Sequence, residues 1–173
     1  MTAATRRVTG QGDVYWEDLS LDERVTGPGI TITDSHLVQW AGLTGDWVSL
    51  HLDAQYAATL PFGERIAHGP LTMSLSLGLL TQTGIFGNVS AWLGVDQVRA
   101  LRPVLIGDTI HPEARLVLSR ETKRPNVGIW SFDYQTLNQH DEVVMTFTGS
   151  FMVSRRATTS VDSASISPNG ARA

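Results

Sequence analysis

No cysteine occurs among the 173 residues. That one absence excludes disulfide frameworks, thiolate nucleophiles, cysteine-ligated zinc and iron–sulfur clusters. Cationic charge is also scarce: 13 lysines and arginines stand against 17 aspartates and glutamates, the net charge is −4, and Lys123 is the single lysine. An acidic chain without a basic stripe interleaved with aromatics is not built as a general nucleic-acid binder. Its arginines still offer a rigid fork that suits phosphate oxygens, so a local cluster can hold a phosphorylated ligand. No apolar run approaches the roughly 18 to 20 residues that a membrane-spanning helix needs, and Arg6-Arg7 are not followed by the apolar stretch of a secretory signal. The expectation is a cytoplasmic protein without membrane contact. Hydrophobic residues make up 42% of the chain and charged residues 17%, enough apolar material at this length for one well-cored domain.

Residues 1–12 and 156–173 are rich in Ser, Thr and Ala and show no apolar periodicity, so both read as disordered tails around one folded unit at 13–155. Within that unit, Gly29 to Thr33 alternates like a short strand. Thr33 or Asp34 then suits the cap of a helix whose inner face is Leu37, Trp40 and Ala41. Gly42 to Leu52 reads as irregular, and a second short helix is expected from near Asp53 to before Pro61. The stretch from Gly69-Pro70 to Leu80 predicts a helix. Proline is tolerated in its first turn, and the leucines point in almost every direction, which marks a helix buried on most sides.

From Ser90 onward the pattern is of strands: 90–101, 109–121 with Ile110, Ala114, Leu116 and Leu118 in phase, 127–137, and a last strand with Val143, Met145, Phe147, Phe151 and Val153 on one face. Helices followed by hairpin-linked strands predict an α+β domain, an antiparallel sheet wrapped around one buried helix. This is the hot-dog arrangement.

Few residues in this frame can carry chemistry. Asp46 and His51 share one irregular segment and together can bind and polarise a water, although an aspartate and a histidine five apart also fit a turn former beside a surface histidine. Gly69, at the positive end of the buried helix, can present its N–H to an oxyanion, or can simply permit a tight turn. His68 reads as a core histidine, and Ser74 and Ser76 as packing residues, since no base pairs with either serine. Trp40, Trp47, Phe86 and Trp92 read as core or as lining for an apolar ligand. His36, His111 and His140 show no metal-ligand spacing, and no metal site is expected.

The segments Thr44-Gly45-Asp46-Trp47-Val48-Ser49-Leu50-His51-Leu52-Asp53, Tyr56-Ala57 and Pro61 through His68-Gly69 resemble the hydratase signature of the MaoC-like acyl dehydratases, which include the (R)-specific enoyl-CoA hydratases. Asp96 to Val104 and Gly107-Asp108-Thr109 resemble the sheet portion of the same family. The resemblance implies hydration of trans-2-enoyl-CoA thioesters, or the reverse dehydration, with Asp46 and His51 as the catalytic pair and the Gly69 N–H as the carbonyl donor. It implies a homodimer with sheets side by side, an acyl-CoA substrate, and no cofactor beyond the coenzyme A of that substrate. Trp47, His68, Arg120, Lys123 and Arg124 are further substrate-binding candidates, the last three for coenzyme A phosphates. The family motif reads Asp-x-Asn-Pro-x-His, whereas this chain has Val48-Ser49 in the middle. An acyl-CoA thioesterase or a non-catalytic acyl-thioester-binding subunit are the rival readings.

Overall fold

A computed structural model describes residues 5–6 and 14–157; the tails expected to be disordered otherwise lie outside the described residues. Thr5–Arg6 form β1, a two-residue strand parallel to β2 (Arg24–Thr26), so these two residues of the first tail are paired with the sheet. A single 3-10 turn, Trp16–Asp18, precedes β2. Then come β3 (Ile30–Thr31), α1 (Asp34–Thr44), α2 (Ser49–Leu52), α3 (Ala54–Ala57), α4 (Gly69–Thr81) and four long strands: β4 (Val89–Ala100), β5 (Thr109–Glu121), β6 (Val127–Leu137) and β7 (Val143–Ser154).

The sheet order is β1-β2-β5-β6-β7-β4, with β3 also paired to β5, and every pairing except β1 with β2 is antiparallel. One face of this curved sheet carries the large side chains. Trp130, Phe132, Tyr134 and Thr136 of β6 stand opposite Phe151, Gly149, Phe147 and Met145 of β7, so one pleat of each strand points the same way. Against that face lies α4, burying Leu71, Thr72, Ser76, Leu79 and Leu80. A buried hydrogen bond between Ser76 Oγ and Thr136 Oγ1, 2.7 Å long, fixes the helix on β6. The expected α+β hot-dog arrangement is therefore what the chain adopts.

Two expectations change at irregularities in the ladder. A register shift between Leu116 and Leu118 puts Leu118 opposite Ser131, on the outer face, where it is exposed. A second shift, beside Thr136, pairs Leu137 with Val143 and leaves Val144 buried next to buried Met145. Strict alternation cannot foresee either, because one inserted residue reverses the phase of everything after it.

Candidate active site

The signature loop is assembled by local hydrogen bonds. At the start of α1 the Thr33 N–H donates to His36 Nδ1 at 2.9 Å, and at its end Gly45 adopts φ 78° while its N–H closes on the Ala41 carbonyl at 2.8 Å. This left-handed position is one that glycine takes without steric cost. Thr44 Oγ1 donates to the Trp40 carbonyl at 2.7 Å and accepts the Asp46 N–H at 3.3 Å. The stretch read as irregular then forms one helical turn, α2, with Val48 as its cap and Ser49 as its first residue. Proline suits that first position, but its role there is only to preset φ, and the turn forms with serine. Asp53 caps α3 through its Oδ1, which accepts the Gln55 and Tyr56 N–H groups.

His51 projects from α2 with its Nδ1 2.8 Å from the Ile66 carbonyl. A carbonyl only accepts, so Nδ1 carries the proton and the neutral ring's lone pair is on Nε2. His68, wholly buried at the start of α4, has its Nε2 3.2 Å from the Asp46 backbone carbonyl; by the same logic Nε2 is the donor there. Its Nδ1 is left buried without a hydrogen-bond partner. The two imidazoles stack, with centroids 3.9 Å apart and planes inclined by 29°. Burial lowers the His68 pKa below the ordinary 6.5, the hydrogen bond to the Asp46 backbone raises it, neighbouring His51 lowers it and the Asp46 charge raises it; the net direction is down, towards a neutral ring.

Asp46, His51 and His68 place one potential ligand atom each within 4.8 Å of one another, and no other such group of three occurs among the described residues. Stacking argues against a shared metal. Nearly parallel rings send their in-plane lone pairs side by side rather than to one point, whereas a common ion needs them to converge at about 2.0–2.1 Å.

Beside it opens a mostly apolar cavity of about 270 Å³, lined by His51, Phe62, Gly69, Thr72, Arg102 and Met145 among others. Its walls are joined by the Ala67 N–H to the Val104 carbonyl and by the Leu101 N–H to the Val144 carbonyl, both 2.8 Å. Gly69 opens the 13-residue helix α4 with Pro70 directly after it, so its N–H has no intrahelical acceptor. A Cβ built on Gly69 would meet nothing within 4 Å, which leaves that N–H approachable from the cavity.

Asp46, His51, His68 and Gly69, chosen from the sequence, are thus brought together. Trp47 is 62% exposed and does not line the cavity. Arg120, Lys123 and Arg124 are not brought to the site: they flank the β5–β6 turn, whereas the cavity abuts the start of β7, at the other end of the 11-residue β6. At about 3.3 Å per residue that is about 30 Å away within one chain. The cation the sequence reading missed is Arg102, at the cavity wall, held by the Val143 carbonyl at 3.0 Å and Glu142 at 3.6 Å. Its place after β4 gives no periodic signal; only the fold brings it there. Of the aromatics, Trp40 and Phe86 pack on the core as expected, while Trp47 and Trp92 are exposed. Ser76 has a structural role: its Oγ also donates to the Thr72 carbonyl.

A hot-dog sheet with a signature loop over the start of its buried helix defines a class of protein, and comparison with known proteins makes the assignment specific. Residues 19–133 match the family model of the MaoC like domain, and the chain belongs to that family. It is 38% identical over 89 residues to an (R)-specific enoyl-CoA hydratase of Aeromonas caviae, a match covering 51% of this chain and 65% of that protein. With a 3-hydroxybutyryl-CoA dehydratase of Methylorubrum extorquens it shares 31% identity over 139 residues, 76% of this chain and 79% of the relative. The chain spans less than two thirds of the length of several curated relatives, the Aeromonas protein among them. Among solved structures, a double-hotdog protein of Mycobacterium tuberculosis superposes with a TM-score of 0.73 at 23% identity, over 82% of this chain and 44% of that one. Among the described residues no helix is long and apolar enough to cross a membrane.

Proposed function

We propose that the protein hydrates trans-2-enoyl-CoA thioesters to 3-hydroxyacyl-CoA, or runs the reverse dehydration. The observation that carries this reading is that His51 and Gly69 line one cavity while Asp46 stands beside His51, with a ligand atom of each within 4.8 Å of the other. Water bound by the dyad forms the new C–O bond at the β-carbon. The electron pair of the double bond moves towards the thioester oxygen, giving enolate character there, and collapse of the enolate takes a proton at the α-carbon. The Asp46/His51 pair takes one proton from the water as the C–O bond forms and returns one proton to the α-carbon, so the dyad ends each turnover in the state in which it began. The Gly69 N–H, at the positive end of α4, donates to the carbonyl oxygen as its charge grows. The chemistry balances with water as sole co-reactant, so the reading includes no cofactor; coenzyme A enters as part of the substrate, with Arg102 placed to meet its phosphates. A cytoplasmic address, compatible with a chain free of cysteine, goes with it.

The reading includes a homodimer. Among the described residues strand β4 pairs only with β7, which leaves its other edge open there, and Trp92, Leu93 and Val98 on it are exposed. An apolar groove of about 400 Å³ lined by Leu77, Phe86, Val89, Trp92 and Phe151 runs beside it. An open apolar edge of this length invites pairing with a second copy.

The test is loss of enoyl-thioester absorbance when the protein meets crotonyl-CoA and longer and branched enoyl-CoAs, with Asp46→Asn and His51→Ala assayed alongside. We expect turnover without thiol release, lowered about 10² to 10⁴-fold in each variant. Released thiol would assign a thioesterase, and no turnover with any acyl group, despite measurable binding, would assign a binding subunit.

A further inference from the structure

We propose that His68 is a positioning residue of this site: a single buried ring that holds His51 by its face, Asp46 by its backbone, and both in register with the Gly69 donor. The inference rests on the hydratase reading for its kinetic consequence and on geometry for the contact itself.

Three observations converge on this ring. First, His51 is fixed in its plane by the Ile66 carbonyl at 2.8 Å and on its face by His68 at 3.9 Å, so the direction of Nε2 is set from two sides. Second, the His68 Nε2–H reaches the carbonyl of Asp46 at 3.2 Å, tying down the residue that carries the other half of the dyad. Third, His68 is the residue that caps α4, and Gly69 follows it directly, so anything held by His68 is held relative to the proposed oxyanion donor. One side chain thus couples the loop to the rigid helix. A purely structural role accounts less well for a histidine here. With no exposed surface and an Nδ1 lacking any partner, the ring bears a desolvation cost that an apolar ring of similar shape would avoid. What histidine adds over phenylalanine is the donor to Asp46.

The ring's neutrality matters in the same way. The groups facing it are His51 and Asp46, and burial disfavours its cationic form. On the route in which His51 takes the water proton, the cation formed is stacked on a neutral π-face rather than on a second cation.

Two variants separate the contacts. His68→Phe keeps a ring for stacking and removes the donor; His68→Asn keeps a donor and removes the ring. With folding verified by circular dichroism and thermal melting, we expect each to lower kcat by about 10 to 10²-fold with KM little changed, because a displaced catalytic group costs rate more than binding. The contact is read independently of activity from the His51 Cε1–H resonance. We expect that resonance to move in His68→Asn, where the ring current is lost, and far less in His68→Phe. Wild-type kcat in both variants while His51→Ala is inactive would overturn the proposal and leave the hydratase reading intact. An unmoved His51 resonance in His68→Asn would overturn the stacking contact whatever the activity. Conversely, an inactive wild-type protein whose His51 resonance moves as expected would defeat the hydratase reading and retain the coupling of His68 to His51. If one variant fails to fold, the other decides.

Discussion

Gly69 shows how much a single position can demand. Its missing side chain leaves the α4 N-terminus open to the cavity, and any Cβ would stand in that space. Because the substituted methyl meets no protein atom within 4 Å, Gly69→Val is expected to fold while losing kcat/KM steeply, and Gly69→Ala to lose less; steady-state kinetics beside circular dichroism checks both. His68 makes a prediction about stability. Its pKa in the folded protein lies below the 6.5 of an ordinary histidine, so the unfolded chain takes up a proton first as pH falls. This contribution is fully present above about pH 6.5 and is lost on acidification until the folded-state pKa is reached. Thermal melting between pH 7.5 and about 5 is expected to show a falling Tm, with a shallower fall in His68→Phe. A Tm slope unchanged by that substitution would remove His68 as its source.

Between elements, a few contacts hold the sheet to its helix and its N-terminal turn. Thr136 Oγ1 and Ser76 Oγ bond across the buried α4–β6 contact, and Ser76 still donates to Thr72 when its partner is gone. Thr136→Val is therefore expected to cost about 0.5–1.5 kcal/mol in urea unfolding, the usual net worth of one hydrogen bond. Gly128 lies directly under the Trp16 indole, where a Cβ would overlap the ring, and Trp16 in turn carries Arg155 over its face at 4.7 Å. Gly128→Ala should displace Trp16 and destabilise by about 1–3 kcal/mol, an overpacking cost read from the same unfolding curves. These elements were unevenly legible. The α4 helix and β5 follow from the sequence because a proline start and period-2 alternation are local signals. The 3-10 turn at Trp16–Asp18 and the three-residue β2 escaped, because each is too short to show a period and is held by a partner distant in sequence.

For the whole molecule, the open edge of β4 is the feature that a single copy leaves unresolved. Trp92, Leu93 and Val98 together make an apolar edge next to the groove at Leu77 and Phe86. Leu93→Lys combined with Val98→Lys is expected to turn a dimer into a monomer in sedimentation velocity, with the wild type sedimenting as two chains. A wild-type protein that sediments as one chain at micromolar concentration would remove the dimer from the reading.

The sequence by itself determined the order of α1, α4 and the four long strands, the buried character of α4, and the residues Asp46, His51 and Gly69 as candidates, because periodicity, caps and motif spacing act over a few residues. Gly107-Asp108-Thr109, marked in the sequence by its resemblance to the family, forms a tight turn in which Gly107 has φ 102° and Asp108 Oδ2 accepts the Leu105 N–H at 2.8 Å. Only the tertiary structure decided which partners these residues meet. It set His68 under His51 across 17 residues of chain, brought Arg102 to the cavity, carried Arg120, Lys123 and Arg124 to the far end of the sheet, and turned Leu118 outward at a bulge. The reason is physical: a local pattern fixes which way a side chain leaves its own backbone, whereas the neighbour it finds depends on the register of strands and loops folded from elsewhere in the chain.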